Sequence, residues 1–191
     1  MNNNISFGSQ QLYYVNLIQK LSKGTKIIPA YFSEMDDADV KLIKRGIKDW
    51  NVTRYGEYII DRFLYDRMKN PNFKYYMIEE ANSTSKNKVK ALALVRLTKR
   101  EISLEYLQSA NKLEIKNAEN IKGGGTMIIY GLAKLLKELK KEAIMLCPSM
   151  SARAFYKKLG FVEYTNSSLI LESDKAQRII KKIEDKFDLR I

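Results

Sequence analysis

The chain predicts a mixed α/β fold (an α+β mixed sheet), with helices packed against a central sheet. Three observations predict it. Short apolar runs suited to strands recur at 26–32, 73–79, 89–97, 102–107, 143–147, 161–164 and 168–171. Between them lie segments with apolar residues at helical spacing, 126–141 and 174–187 among them. With 191 residues, 45% hydrophobic and 29% charged, the chain has the composition of a folded protein with one sizeable core. Strands interspersed with helices imply a mixed sheet.

Each element has its own signal. Residues 1–25 are polar at the tip and then carry Leu12, Tyr13, Val15, Leu17, Ile18 and Leu21, a loose helical stripe. This segment therefore reads as a helical extension packed on the domain. After the strand at 26–32, the polar stretch 33–37 fits a helix start, and Val40, Leu42, Ile43, Ile47 and Trp50 follow it. A turn near Asn51 and Thr53 leads to a second helix over 58–68, ended by Asn70-Pro71 because the residue before proline avoids the helical region. The turn cluster 82–87 separates the strand 73–79 from two strands that read as a hairpin, 89–97 and 102–107. A long polar connection, 109–122, precedes the helix 126–141, whose Ile128, Ile129, Leu132, Leu135, Leu136 and Leu139 share one side. Residues 151–158 form a helix stopped by Gly160. The last helix, 174–187, carries Ala176, Ile179, Ile180, Ile183 and Phe187 at helical spacing. The organisation is thus 1–25 as an extension, 26–172 as the main domain and 173–191 as a terminal helix. That helix suits either the sheet or a second copy of the chain, a homodimer.

Composition narrows the chemistry. There is no histidine, which excludes Ser-His-Asp and Cys-His catalysis and histidine-containing metal sites, and no metal is expected. Any general acid or base is then Asp, Glu, Tyr, Lys, Cys or a terminus. A single cysteine, Cys147, excludes an internal disulfide, and its apolar strand context suggests an inert core thiol. No apolar stretch approaches the roughly 18 residues of a membrane span, and the N-terminus lacks a secretory pattern, so a cytoplasmic protein without a membrane association is expected. The net charge of +12 favours a polyanionic partner, nucleotide, RNA or acidic protein, with a merely solubilising lysine-rich surface as the alternative.

Two segments carry specific chemistry. Asn120-Ile121-Lys122-Gly123-Gly124-Gly125-Thr126 opens directly onto the apolar helix. A glycine-rich turn at a helix N-terminus presents backbone N–H groups and the positive end of the helix dipole to a phosphate. About 30 residues on, Ser149 is followed by Ala152, Phe155, Tyr156, Leu159, Gly160 and Phe161, a tyrosine-bearing helix that stops at a glycine. Together these segments resemble the motifs of the GNAT superfamily of acyl-CoA-dependent N-acetyltransferases. The element order from residue 26 onward is also similar to the family's. Asn120 stands where the family has Arg or Gln, and Ser149 stands where it often has Asn.

The resemblance implies a splayed mixed sheet flanked by helices, with acetyl-CoA as cosubstrate. It implies that Ile121, Lys122, Gly123, Gly124, Gly125 and Thr126 cradle the pyrophosphate. Leu107 and Ser109, at the end of the fourth strand, would pair with the pantetheine arm, and Ser149 would also line the cofactor site. Tyr156 would protonate the leaving thiolate, a role its phenol suits. Glu105 matches a strand glutamate used as a base by some members, with Glu101, Glu79 and Glu80 behind it. Its alternative is a solvent-facing strand residue. Trp50, Tyr55 and Tyr58 would line the acceptor pocket, or pack as core aromatics. The expected activity is acetyl transfer from acetyl-CoA to a primary amine of an unidentified acceptor. Two alternatives stay open: a non-catalytic coenzyme A- or nucleic-acid-binding module, and an acetyltransferase acting on tRNA or a nucleic-acid-associated protein.

Overall fold

In the computed structural model, which describes residues 10–36, 59, 61, 62, 65, 70–81, 88–109 and 121–189, the strands form one continuous sheet. Strands β1 (Gln10–Lys20), β2 (Thr25–Glu34), β3 (Phe73–Glu80), β4 (Val89–Leu97) and β5 (Glu101–Ser109) run antiparallel, each to the next. A short β6 (Ile121–Lys122) pairs with β1 at one edge. On the other side β7 (Ala143–Leu146) pairs parallel with β5, and β9 (Leu169–Glu172) and β8 (Val162–Glu163) complete the sheet. The spatial order is β6-β1-β2-β3-β4-β5-β7-β9-β8. Three helices accompany it among the described residues: α1 (Gly124–Glu138), α2 (Met150–Lys158) and α3 (Ser173–Phe187).

The N-terminal segment corrects the sequence reading. Residues 10–20 are a strand, not a helix. Tyr13, Val15 and Leu17 recur at every second position, the strand period, and Val15 and Leu17 are fully buried. Pairing with β2, from Gln10↔Glu34 to Lys20↔Thr25, gives each backbone a partner that the isolated sequence does not reveal. The segment is therefore part of the sheet and not an extension laid on it.

The sheet has two different faces. Along β4, Ala91, Ala93 and Val95 join the larger core cluster, with Phe32, Ile78, Ile128, Leu132 and Ile180. The alternate residues Leu92 and Leu94 join a second cluster with Met35, Ile59, Tyr75 and Met77. The small alanines beneath α1 let the helix lie close to the sheet. Helix α3 adds Ala176, Ile179, Ile180, Ile183 and Phe187 to the larger cluster, so it belongs to the same core as the domain. Each such aliphatic or aromatic side chain contributes about 1.5–3 kcal/mol by burial. Of the helix expected over 58–68, the described residues Ile59, Asp61, Arg62 and Tyr65 are helical. The helix expected around 40–50, the turn 82–87, Asn120 and the acceptor candidates Trp50, Tyr55 and Tyr58 lie outside the described residues.

Candidate functional site

The site begins with a change of pairing along β5. Its first half, Glu101 to Leu104, is bonded to β4 on one side and to β7 on the other. Beyond Leu104 the β7 pairing stops, and the strand continues to Ser109 paired with β4 alone. Among the described strands, none pairs with this second half on the β7 side, where an added strand could lie. The divergence coincides with a bulge: Val95 faces Leu104 while Leu94 faces Tyr106, which leaves Glu105 outside the ladder. The extra residue resets the alternation. Leu104 and Leu107, three positions apart, both pack on the α1 side, whereas Tyr106 packs on the other.

The first turn of α1 lies against this second half of β5. Gly123, the residue before the helix, has φ 105°, a left-handed conformation that glycine adopts without steric cost. The helix begins there, with Met127 N–H donating to the Gly123 carbonyl at 2.8 Å. Among the described residues no side chain caps this terminus and no acidic residue stands in its first turn, a setting whose helix dipole favours an anion. The glycines answer to protein packing as well as to a ligand. A Cβ at Gly124 would lie 2.7 Å from the Lys90 carbonyl oxygen. A Cβ at Gly125 would lie 3.0 Å from Ser109 Oγ, 3.3 Å from Leu107 Cδ2 and 3.6 Å from Phe155 Cζ. At Gly124 and Gly125 a Cβ would thus meet β4 and β5 of the protein itself. It also brings Leu107, Ser109, Gly125 and the α2 residue Phe155 into one contact group. Lys122 is exposed on β6 and Ile121 is half-buried beside it.

Helix α2 supplies the tyrosine. Ser149 is its N-terminal boundary residue and is exposed; its Oγ lies 3.2 Å from Ser151 Oγ, without a side-chain cap, and its carbonyl accepts from Ala152 and Arg153. Tyr156 is 7% exposed, edge-on to Phe155 at 5.0 Å and to Phe161 at 5.7 Å between ring centroids. Burial pushes its phenol up to about 12, so it stays protonated through neutral pH. Gly160, at φ 98°, ends the helix as its sequence indicates, and Ile179 of α3 fills the space a Cβ would need.

The carboxylates divide clearly. Glu105, the bulged residue, is exposed and its Oε1 accepts from Arg96 Nε at 3.0 Å. It sits where the two halves of β5 meet. Glu79 is buried, accepting from Ser33 Oγ at 3.0 Å and paired with Lys88 Nζ at 2.6 Å. Glu80 lies 3.1 Å from Lys90 Nζ, an ion pair by distance although its Oε1 makes no aligned hydrogen bond. Glu101 belongs to the half of β5 that is paired on both sides. Cys147 corrects the sequence reading: β7 ends at Leu146, and the thiol is exposed, not in the core. Among the described residues no cluster of acidic or thiol groups has the make-up of a metal site.

Two neighbours of the glycine turn escaped the sequence reading as site residues. Lys90 touches it through a main-chain carbonyl and Phe187 through a ring, and only their fold contacts reveal them.

The fold recurs in solved structures. AtaTR bound with AcCoA is similar, at 15% identity, over 78% of this chain and 97% of that one, with a TM-score of 0.54. A putative acetyltransferase of the GNAT family from Desulfovibrio desulfuricans matches at 13% identity over 75% and 99% of the two chains, TM-score 0.54. The spermidine/spermine N-acetyltransferase SpeG from Vibrio cholerae, in mutant form, matches at 13% identity over 78% and 96%, TM-score 0.53. No family model and no curated protein sequence matches the chain. These likenesses in fold, over most of each chain, show that the chain has the fold of the GNAT N-acetyltransferases.

Proposed function

We propose that the protein is an acetyl-CoA-dependent N-acetyltransferase that acts by direct transfer to a primary amine. One observation carries this reading: the second half of β5, the first turn of α1 and the α2 helix that bears Tyr156 are neighbouring elements, joined through the contacts of Gly125 with Ser109, Leu107 and Phe155. Coenzyme A supplies the acyl thioester when bound. The donor set suits it. The N–H groups of Gly123, Gly124, Gly125 and Thr126 would hold the pyrophosphate, with Lys122 adding charge. The main chain of Leu107 to Ser109 would pair with the pantetheine amides, and an N–H there would polarise the thioester carbonyl. Ser149, the residue before α2, is proposed as a further cofactor contact.

Tyr156 is the proposed acid. A phenol held neutral by burial keeps a proton to give at every pH where the amine can attack. Glu105 is the proposed base, acting directly or through water at the point where β5 and β7 part. Trp50, Tyr55 and Tyr58 are proposed for the acceptor pocket on the family resemblance alone. The net charge of +12 disfavours a polycationic acceptor and suits an amine carried by an anionic molecule.

A second reading rests on Tyr156 itself. Its packing between Phe155 and Phe161 is also what a purely structural tyrosine would show, which fits a coenzyme A-binding module without turnover. Incubation with isotopically labelled acetyl-CoA and cell extract separates the two. Label transferred to an acceptor, and lost in Tyr156→Phe, supports the enzyme. Coenzyme A binding by calorimetry with no transfer in any extract supports the module, and no binding at all would overturn both.

A further inference from the structure

The end of α3 is seated on the glycine turn. The Phe187 ring, 4% exposed, lies so close to Gly123 that a Cβ there would sit 2.9 Å from Cε1 and 3.4 Å from Cζ. Leu17 of β1 closes the same space at 3.7 Å. Phe187 is itself held in place. The Asn16 side-chain amide, from β1, donates to the Phe187 carbonyl at 3.1 Å and to the Asp188 carbonyl at 3.0 Å. Those two carbonyls belong to the last turn of α3, which lacks helical partners of its own. One turn earlier, Tyr130 Oη of α1 donates to Glu184 Oε1 at 3.0 Å. The last turn of α3 is therefore bonded to β1 and to α1, and its ring rests on the residue whose left-handed conformation starts α1.

We propose that Phe187, anchored by Asn16, is a positioning residue for the anion-binding turn: it holds Gly123 in the left-handed conformation and so aligns the N–H groups of the first turn of α1 before any ligand arrives. The physical basis is preorganisation. Glycine has many accessible conformations, and a turn of three of them loses more entropy on ordering than any other tripeptide. A ring pressed on Gly123 removes that freedom in the folded protein, so a ligand need not do so. The functional consequence rests on the reading of this turn as the cofactor site, but the ordering itself does not.

The test uses the full chain and two readouts. The first is amide exchange in the ligand-free protein at Met127, whose N–H bonds to the Gly123 carbonyl, with Leu139, bonded to Leu135 at the other end of α1, as the internal reference. Phe187→Ala should speed exchange at Met127 by about tenfold or more relative to Leu139, as loss of local ordering frees an end of a helix. Ile180→Ala, an equally buried residue of α3 that does not touch Gly123, should slow or speed both amides together. The second readout is calorimetry with coenzyme A, whose dissociation constant should rise about tenfold in Phe187→Ala and recover most of the way in Phe187→Leu, since the ordering cost returns to the ligand. If Phe187→Ala fails to fold, Phe187→Leu and Asn16→Ala serve in both readouts. An unchanged Met127-to-Leu139 ratio, or the same change in Ile180→Ala, overturns the proposal. If the wild type does not bind coenzyme A, the cofactor reading fails while the exchange ratio still decides the positioning role.

Discussion

The two halves of β5 have the same backbone conformation and opposite fates. Glu101 to Leu104 is bonded on both edges, by β4 and β7, and its surroundings are ordinary structure. The tight turn before it is closed by Thr98 bonding to Glu101 and by Lys141 Nζ capping the Thr98 carbonyl at 2.6 Å. Arg100 and Glu142 join the adjoining loops at the surface. Glu105 to Ser109 is paired with β4 alone among the described strands, and Gly125 at the start of α1 and Phe155 of α2 lie against it. The comparison shows what makes a site here. It is not residue type, since carboxylates flank both halves. It is the parting of two parallel strands beside the terminus of a helix.

The largest effect expected at the open half belongs to its proposed acid. Tyr156→Phe should lower kcat by about 10²–10⁴-fold, with coenzyme A affinity little changed. Because burial pushes this phenol up to about 12, its loss of a proton cannot produce any alkaline limb below about pH 10. A limb seen in that range should survive in Tyr156→Phe. Full activity in that variant would leave Tyr156 as packing and remove the functional difference between the halves.

Gly125→Val comes next. The new side chain would press on Ser109 and Leu107 and push the open edge away from α1. A stability loss of about 1–3 kcal/mol from overpacking is expected by urea titration. A loss of coenzyme A affinity by about tenfold or more should accompany it, as each 1.4 kcal/mol of misplacement is tenfold. Unaltered binding by calorimetry would detach the glycine turn from the cofactor.

Glu105→Gln sharpens the comparison because Glu101→Gln, in the closed half, is its control. If Glu105 is the base, the first change slows kcat/KM by about tenfold or more and abolishes the acidic limb of its pH profile, while the second leaves both intact. Equal profiles for the two variants would make Glu105 a strand residue ion-paired with Arg96 and nothing more.

The smallest effect lies outside both halves. Glu163 accepts from Arg153 and pairs with Lys157, and these partners hold its carboxyl down from an ordinary 4.5 to about 2. A carboxyl depressed on folding adds stability above its unfolded value and loses it as pH falls from about 4.5 toward 2. The group is at the surface, so the gain is small and salt-sensitive. Urea midpoints of wild type and Glu163→Gln should converge over that interval and differ slightly above it. A constant difference from pH 6 to pH 2 would count against the linkage.

The strands and helices were legible wherever a local period was strong. The helix at 126–141, the hairpin of 89–97 and 102–107 and the glycine stop at Gly160 all appear in the structure with shifts of a few residues. The N-terminal strand misled because Leu12, Tyr13, Val15, Leu17 and Ile18 satisfy a helical stripe loosely and a strand alternation equally well. Its partner, β2, settled the choice through contacts that local pattern does not encode. The two-residue β6 carries too little sequence to have a period at all. Cys147 was misplaced by one residue's difference in where β7 ends, enough to turn a core thiol into an exposed one.

By itself the sequence determined which groups are present and how they are spaced along the chain. The absence of histidine, the glycine run that opens an apolar helix and the tyrosine one turn before Gly160 are all covalent facts, and they limit the chemistry to a small set. Tertiary structure alone decided the rest. It stopped the β5–β7 pairing at Leu104, put a bulge at Glu105, set Gly124 and Gly125 against β4 and β5, and brought Phe187 to rest on Gly123, 64 positions away in the numbering. The reason is one of range. Periodicity and turn preferences act over a few residues, where a sequence can be read. Register, splay and close backbone approach are settled by which distant surfaces fit together, and that is resolved only when the core closes.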